Sequence, residues 1–129
     1  MKHLSIIISL VCIFMIACSK HPGDYPSAVP DAALTIQIPS TSQIFSATDS
    51  IMLIASAKSS ATIHGYDLWI NVQGDTSKRS FTTIHDHSTT LQIVRKLPPQ
   101  PTGSYEVNIL LHLDHDGHTL LRKQKFIVQ

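Results

Sequence analysis

From Leu34 onward, apolar residues alternate with polar ones, and this alternation constrains the fold more than any other feature of the chain. In the run Leu34-Thr35-Ile36-Gln37-Ile38 every second side chain is apolar. A period of two is typical of strands with one buried face, because successive side chains point to opposite sides. No segment shows a sustained helical period. Five further sets repeat the pattern: Ile51, Leu53, Ala55 and Ala57; Tyr66, Leu68, Ile70 and Val72; Leu91 and Ile93; Tyr105, Val107, Ile109, Leu111 and Leu113; and Leu120, Phe126 and Val128.

Turn-forming residues separate these sets, as in the proline-rich stretch 98–103 and the Asp116-Gly117 pair. Seven strands at this spacing predict an all-β fold, a Greek-key sandwich of the immunoglobulin kind in residues 34–129. About 95 residues suffice for one small domain with one core. The predicted strands cover residues 34–39, 51–57, 63–73, 80–87, 90–96, 104–114 and 119–129.

The most specific local signal lies in the last third of the chain. The run Pro101-Thr102-Gly103-Ser104-Tyr105, followed by Asp114-His115-Asp116-Gly117, resembles a pattern of bacterial immunoglobulin-like and PKD-like domains. That resemblance implies a tyrosine corner, in which the Tyr105 hydroxyl bonds backbone near the preceding corner. Trp69 is out of phase with its apolar neighbours, so we expect it to face outward rather than into the core.

The amino-terminal segment has the layout of a secretory signal. Lys2 precedes an apolar run at 4–17, which is short for a membrane span of about 20 residues. Its end, Met15-Ile16-Ala17-Cys18, resembles the lipobox of bacterial lipoproteins. The resemblance implies a leader of residues 1–17, cleavage before Cys18, lipid (palmitate) attachment there, and, with Ser19 following, the outer membrane. A plain signal peptide with a chance cysteine is the alternative. Residues 18–33 hold several prolines and predict a semi-rigid tether.

The charge balance argues against nucleic acid as a partner. Loss of Lys2 with the leader leaves nine Lys and Arg residues (10 minus 1) against nine Asp and Glu residues. The sequence has no basic stripe with interleaved aromatic residues. It also has no HExxH motif, no CxxC motif and no nucleophile elbow, so we expect no catalysis.

The histidines of the body are predicted to collect at one end of the sandwich. His85 and His87 are two apart at the end of a predicted strand, so their side chains should share a face. Neutral imidazole suits Zn²⁺ and Cu²⁺, and Asp114 or Asp116 could orient a ligand ring, whereas Asp86 should point the other way. His112 should stand slightly below this end. The candidate metal ligands are His64, His85, His87, His115 and His118.

Other interpretations of these histidines stay open. Histidine is tolerated on half-exposed strands, and Asp114-His115-Asp116-Gly117 is sufficiently explained as a hairpin turn. Histidines gathered near neutral pKa could also charge together in mild acid. The chain further resembles His-rich immunoglobulin-like lipoproteins of uncharacterised function, which implies no mechanism.

Two functions therefore follow from the sequence. The first is a lipid-anchored envelope protein whose domain has a non-catalytic structural or interaction role, with another envelope protein or a glycan as partner; Trp69 is a candidate contact residue. The alternative is a lipoprotein that binds Zn²⁺ or Cu²⁺ through the histidine end. No other cofactor is indicated.

Overall fold

The computed structural model describes residues 28–129. The predicted leader 1–17, the lipidated Cys18 and most of the predicted tether therefore lie outside the described residues. The described part consists of strands and connections, and it contains no helix long and apolar enough to cross a bilayer. The strands are β1 (Ala32–Ile38), β2 (Gln43–Phe45), β3 (Ile51–Ile63), β4 (Gly65–Val72), β5 (Arg79–Ile84), β6 (Ser88–Leu97), β7 (Gly103–His112) and β8 (Thr119–Val128).

These strands form two facing sheets, and the predicted immunoglobulin-like β-sandwich is confirmed. One sheet has the order β1-β3-β6 and the other has the order β2-β8-β7-β4-β5. Neighbouring strands are antiparallel except for β2, which runs parallel to β8. The chain changes sheet five times, between β1 and β2, β2 and β3, β3 and β4, β5 and β6, and β6 and β7. The changes between β3 and β4 and between β5 and β6 occur at the same end of the sandwich and position the candidate site.

The strand β2 was missed by the sequence reasoning. It has three residues, Gln43–Phe45, which pair with the last three residues of β8. A strand this short shows no period of two, and the turn-forming residues 39–42 before it predict a loop. β1 and β2, which follow each other in the chain, therefore belong to different sheets.

The core consists of the inward residues of both sheets, as the alternation predicts. Leu53, Ala55, Ile63, Ile70, Val107, Ile109 and Leu111 have no measurable exposure. Burial of such side chains supplies the main driving force for folding, at about 25 cal/mol per Å² of apolar surface. The predicted tyrosine corner is present as well. The Tyr105 hydroxyl donates a hydrogen bond to the Pro101 carbonyl oxygen at 2.7 Å, and the ring stacks on Phe126 with centroids 5.5 Å apart.

At the end that carries the histidines, two strand boundaries differ from the sequence prediction by three residues or more. β3 runs to Ile63, six residues beyond the predicted end, with an irregularity in its pairing to β6 between Lys58 and Ile63. β5 ends at Ile84, so His85 and His87 lie in the connection to β6 and not on a strand. An extended connection can continue the alternation of inward and outward side chains beyond the last paired residue of a strand. The sequence pattern therefore does not show where the strand ends.

Candidate functional site

Three connections at one end of the sandwich bring together His64, His85, His87 and His115, the histidine cluster. His64 is the single residue between β3 and β4, whereas His85 and His87 flank Asp86 between β5 and β6. His115 lies in the turn between β7 and β8. Of the five candidate metal ligands in the sequence, the structure therefore places four in one group, and these four come from segments far apart in the chain.

The rings of the histidine cluster are in mutual contact. The Nε2 atoms of His85 and His87 are 2.8 Å apart, and these two rings meet edge to face with centroids at 4.5 Å. The His64 ring is edge-on to His87, with centroids at 4.9 Å, and lies against His115 at 3.9 Å. His64 is thus the central ring, with one neighbour from each of the other two connections.

Gly65 permits this approach. It begins β4 with φ +120°, a conformation that favours glycine. A Cβ atom there would overlap the carbonyl oxygen of Ile84 and lie 3.0 Å from Cα of His85. The chain next to it is fixed by a hydrogen bond from His64 N to the His112 carbonyl oxygen at 2.7 Å. The absence of a side chain therefore lets the end of β5 and its histidines run against the segment that carries His64.

The predicted shared face of His85 and His87 is found even though the two residues are not on a strand. Both side chains are exposed, whereas Asp86 between them is half-buried. The backbone keeps the alternation of β5 through the connection, so the two imidazoles lie on the same side. Their Nε2 atoms are close enough for one hydrogen bond, in which one ring donates and the other accepts.

His118 has a different partner. Its Nδ1 lies 2.6 Å from Asp114 Oδ2, while Asp114 Oδ1 accepts hydrogen bonds from the backbone N–H groups of Asp116 and His118, both at 3.0 Å. Partial burial acts to raise the pKa of Asp114, but the hydrogen bonds from His118 outweigh it and leave the pKa below its ordinary value. Asp114 therefore holds the turn and orients His118, the ring that the sequence reasoning grouped with the cluster.

His64 is the least solvent-exposed ring of the histidine cluster. It is half-buried, and its Nδ1 is buried without a hydrogen-bond partner among the described residues. Burial lowers its pKa, and His115, His87 and His85 lower it further by charge repulsion, against a smaller opposite effect from Asp114. The lowered pKa favours the neutral form of His64, which is the form of imidazole that binds metal ions.

The cluster is not a finished coordination sphere. Within residues 28–129, no group of three or more His, Cys, Asp or Glu side chains is already arranged to hold a metal ion. The His112 side chain is directed to Asp67, with its Nε2 3.3 Å from Asp67 Oδ2. The arrangement shown is four neighbouring imidazoles, two of which are joined by a hydrogen bond.

A second surface lies on the outer face of the five-stranded sheet. Trp69 is on the opposite side of β4 from the buried Leu68 and Ile70 and is half-buried. The Lys78 ammonium stands 4.2 Å from the Trp69 ring centroid and 5.0 Å from that of Phe81, whose side chain is 50% exposed. These three residues form the aromatic–lysine patch. The outward position of Trp69 agrees with its phase in the sequence, but the lysine above it was not foreseen.

A buried amide pair on the same face was also missed. Asn108 Nδ2 donates to Asn71 Oδ1 at 2.5 Å, and Asn71 Nδ2 donates to the carbonyl oxygens of Val72 at 3.1 Å and Asp75 at 2.9 Å. These bonds hold the β4–β5 connection over the outer face of the sheet. The sequence places both asparagines in outward phase, but the pairing of β4 with β7, which brings them together, is seen only in the structure.

Comparison with solved structures supports the fold. The chain is similar to fibronectin(III)-like modules of Clostridium thermocellum CbhA, with a TM-score of 0.55 and 21% identity over 74% of this chain and 94% of that one. It is also similar to an engineered protein, with a TM-score of 0.58 and 12% identity over 79% of this chain and 21% of that one. A CARDB domain from Pyrococcus furiosus in complex with di-metal ions matches with a TM-score of 0.48 and 10% identity over 78% and 96% of the two chains. No family model and no curated protein matches the sequence.

Proposed function

We propose that this is a lipid-anchored cell-envelope protein whose immunoglobulin-like domain has a non-catalytic structural or interaction role. The observation that carries the proposal is the two-sheet sandwich, which the chain shares with a fibronectin(III)-like module. Such a fold presents surfaces on a rigid scaffold. The lipobox at Met15-Ile16-Ala17-Cys18 and the proline-rich segment after it supply the anchor and the tether. Several acyl chains give stable anchoring, which one chain does not.

The entry point of the chain supports one orientation of the domain relative to the membrane. β1 begins next to the late part of β3: Ala32 pairs with Ser59, and the Ser60 N–H donates to the Asp31 carbonyl oxygen at 2.8 Å. The chain thus enters the sandwich near the end where β3 leads into His64. With a tether anchored at Cys18, this end faces the membrane and the opposite end, with the connections 73–78 and 98–102, faces away.

The aromatic–lysine patch is the proposed contact surface. Trp69 and Phe81 combine large apolar rings with the Lys78 charge, and tryptophan is among the residues that dominate binding energy at interfaces. The patch lies on the side of the sandwich, so a partner can reach it while the histidine end faces the membrane. Either an envelope protein or a glycan can bind to aromatic rings that have a charge beside them.

The anchor is tested by exchange of single cysteines in the full chain. Cys18→Ser should abolish the acyl mass and move the protein from the membrane to the soluble fraction. Cys12→Ser is the matched control, because Cys12 lies within the leader and should leave both properties unchanged. Membrane fractionation and mass spectrometry of the mature chain give the readout. A Cys18→Ser protein that stays acylated would overturn the anchor proposal.

The contact surface is tested by photo-crosslinking in cells. A photoreactive residue at Phe81 should give an adduct of discrete mass. The same residue at Met52, which is 40% exposed on the other sheet, should give none. Protease and glycosidase treatment then separates a protein partner from a glycan. Equal labelling at both positions, or none at Phe81, would exclude the patch as the contact surface.

A further inference from the structure

We propose that the histidine cluster binds one divalent transition-metal ion, Zn²⁺ or Cu²⁺, with His85 and His87 as the first two ligands and His64 as the third. This goes beyond the interaction role, which does not need a metal. The site would occupy the end of the sandwich where the chain enters. His115, whose ring lies against His64, stands where a fourth nitrogen can be recruited.

The pair His85 and His87 requires little adjustment to share an ion. Two nitrogens that each lie 2.0–2.1 Å from one tetrahedral zinc are about 3.4 Å apart. The two Nε2 atoms are 2.8 Å apart, so a separation by roughly 0.6 Å makes room for the ion between them. Both side chains are exposed, and rotation about their side-chain bonds can supply this movement without displacing the core. The hydrogen bond between them is given up, and each Nε2 then turns a lone pair to the metal.

His64 is chosen as the third ligand because its ring is the least satisfied of the four. Its Nδ1 is buried and has no hydrogen-bond partner within residues 28–129. A buried nitrogen without a partner is unfavourable, and buried polar groups are rarely left in this state. The ring already touches that of His87 with centroids 4.9 Å apart. A metal ion bound to His64 would join the β3–β4 and β5–β6 connections.

The structure also revises the ligand set. His118 is oriented by Asp114 at 2.6 Å, so it is left out, although the sequence grouped it with the ligands. His112 faces Asp67 and has no ring contact with the cluster. His112 lies at the same end of the domain, and the proposal predicts that its side chain does not affect metal binding. His112 is therefore a matched control.

The test is a titration of the full chain, purified in detergent without a histidine tag, with ZnCl₂ and CuCl₂ in a calorimeter. We expect one ion per chain, with tighter binding of Cu²⁺ than of Zn²⁺, as nitrogen sites generally show. The His85→Ala/His87→Ala double variant should lose binding at micromolar metal, and His64→Ala should weaken it at least tenfold. His112→Ala and His21→Ala should bind as the parent does; the second variant tests His21, which lies outside the described residues.

Two further measurements keep the result interpretable if a variant folds poorly. His87→Gln preserves the size of the side chain and should also lose binding, while circular dichroism reports whether the sheet content is intact. The electron paramagnetic resonance spectrum of the Cu²⁺ form of the parent should show hyperfine coupling to three or more nitrogens. The proposal is overturned if the parent does not bind at micromolar metal. It is equally overturned if binding survives in the double variant or is lost in His112→Ala or His21→Ala.

Discussion

Replacement of Gly65 by alanine should damage the protein far more than replacement of Gly117, although both glycines lie at the histidine end and both have positive φ. Gly65 has φ +120° and faces backbone atoms of Ile84 and His85, one of them in steric overlap with an added Cβ. Gly117 has φ +90°, and an added Cβ would meet no atom within 4 Å. Gly117→Ala therefore measures the cost of a side chain at positive φ alone. Gly65→Ala adds the cost of the clash with the backbone of Ile84 and His85.

The expected magnitudes follow from these two terms. A left-handed backbone conformation costs an alanine about 1–2 kcal/mol, which is the whole expected effect at Gly117. At Gly65 the side chain must also displace the end of β5, which pairs with Tyr66 through Ile84. We expect Gly65→Ala to lower the free energy of unfolding by more than about 3 kcal/mol, which is more than most single substitutions cost. For a domain of about 100 residues, each 1 kcal/mol lowers Tm by about 4–8 °C.

Urea unfolding followed by circular dichroism gives the free energy of unfolding for parent, Gly65→Ala and Gly117→Ala. The Gly65→Ala protein should also lose the proposed metal binding under conditions in which it is still folded, because the segment carrying His85 and His87 is displaced from His64. Gly117→Ala should retain it. Equal losses of stability in the two variants would refute the close-approach argument and remove the reason for glycine at the start of β4.

Three further outcomes are expected. Tyr105→Phe should lower the free energy of unfolding by about 1–3 kcal/mol in a urea titration, because the Pro101 carbonyl oxygen loses its donor at 2.7 Å while the ring stack stays. Ile109→Val, a deletion of one methylene from a fully buried position, should cost about 0.5–1.5 kcal/mol in the same assay. The hydrogen bonds from Ser77 lower the pKa of Asp75 in the folded state, so the stability it contributes is present above its unfolded pKa and is lost as pH falls through the lower folded value. Asp75→Asn should thus be less stable than the parent at pH 7, with a difference that shrinks in strong acid; a difference that grows in acid would contradict the assignment.

The sequence predicted those parts of the fold that depend on regular alternation. The inward residues of β3, β4 and β7 could be foreseen from the alternation alone. The hydrogen bond of Tyr105 was expected from the resemblance of the run Pro101–Tyr105 to immunoglobulin-like domains. β2 could not be foreseen, since its three residues pair with β8 through a change of sheet that no local pattern records. The amide pair Asn71 and Asn108 depends on which two strands are neighbours, and periodicity does not contain that information.

The histidine end was foreseen because topology determines it more than local structure does. One residue joins β3 to β4, three join β5 to β6 and six join β7 to β8. Connections this short cannot carry their side chains away from the end of the sandwich, so the error over the end of β5 left the grouping intact. What topology does not explain is why the residues are histidines. His85, His87 and His115 are exposed and add little to the core, and their charged forms repel one another. Core packing therefore gives no reason for four neighbouring imidazoles, whereas the proposed shared ion does, because each imidazole can offer it a nitrogen lone pair.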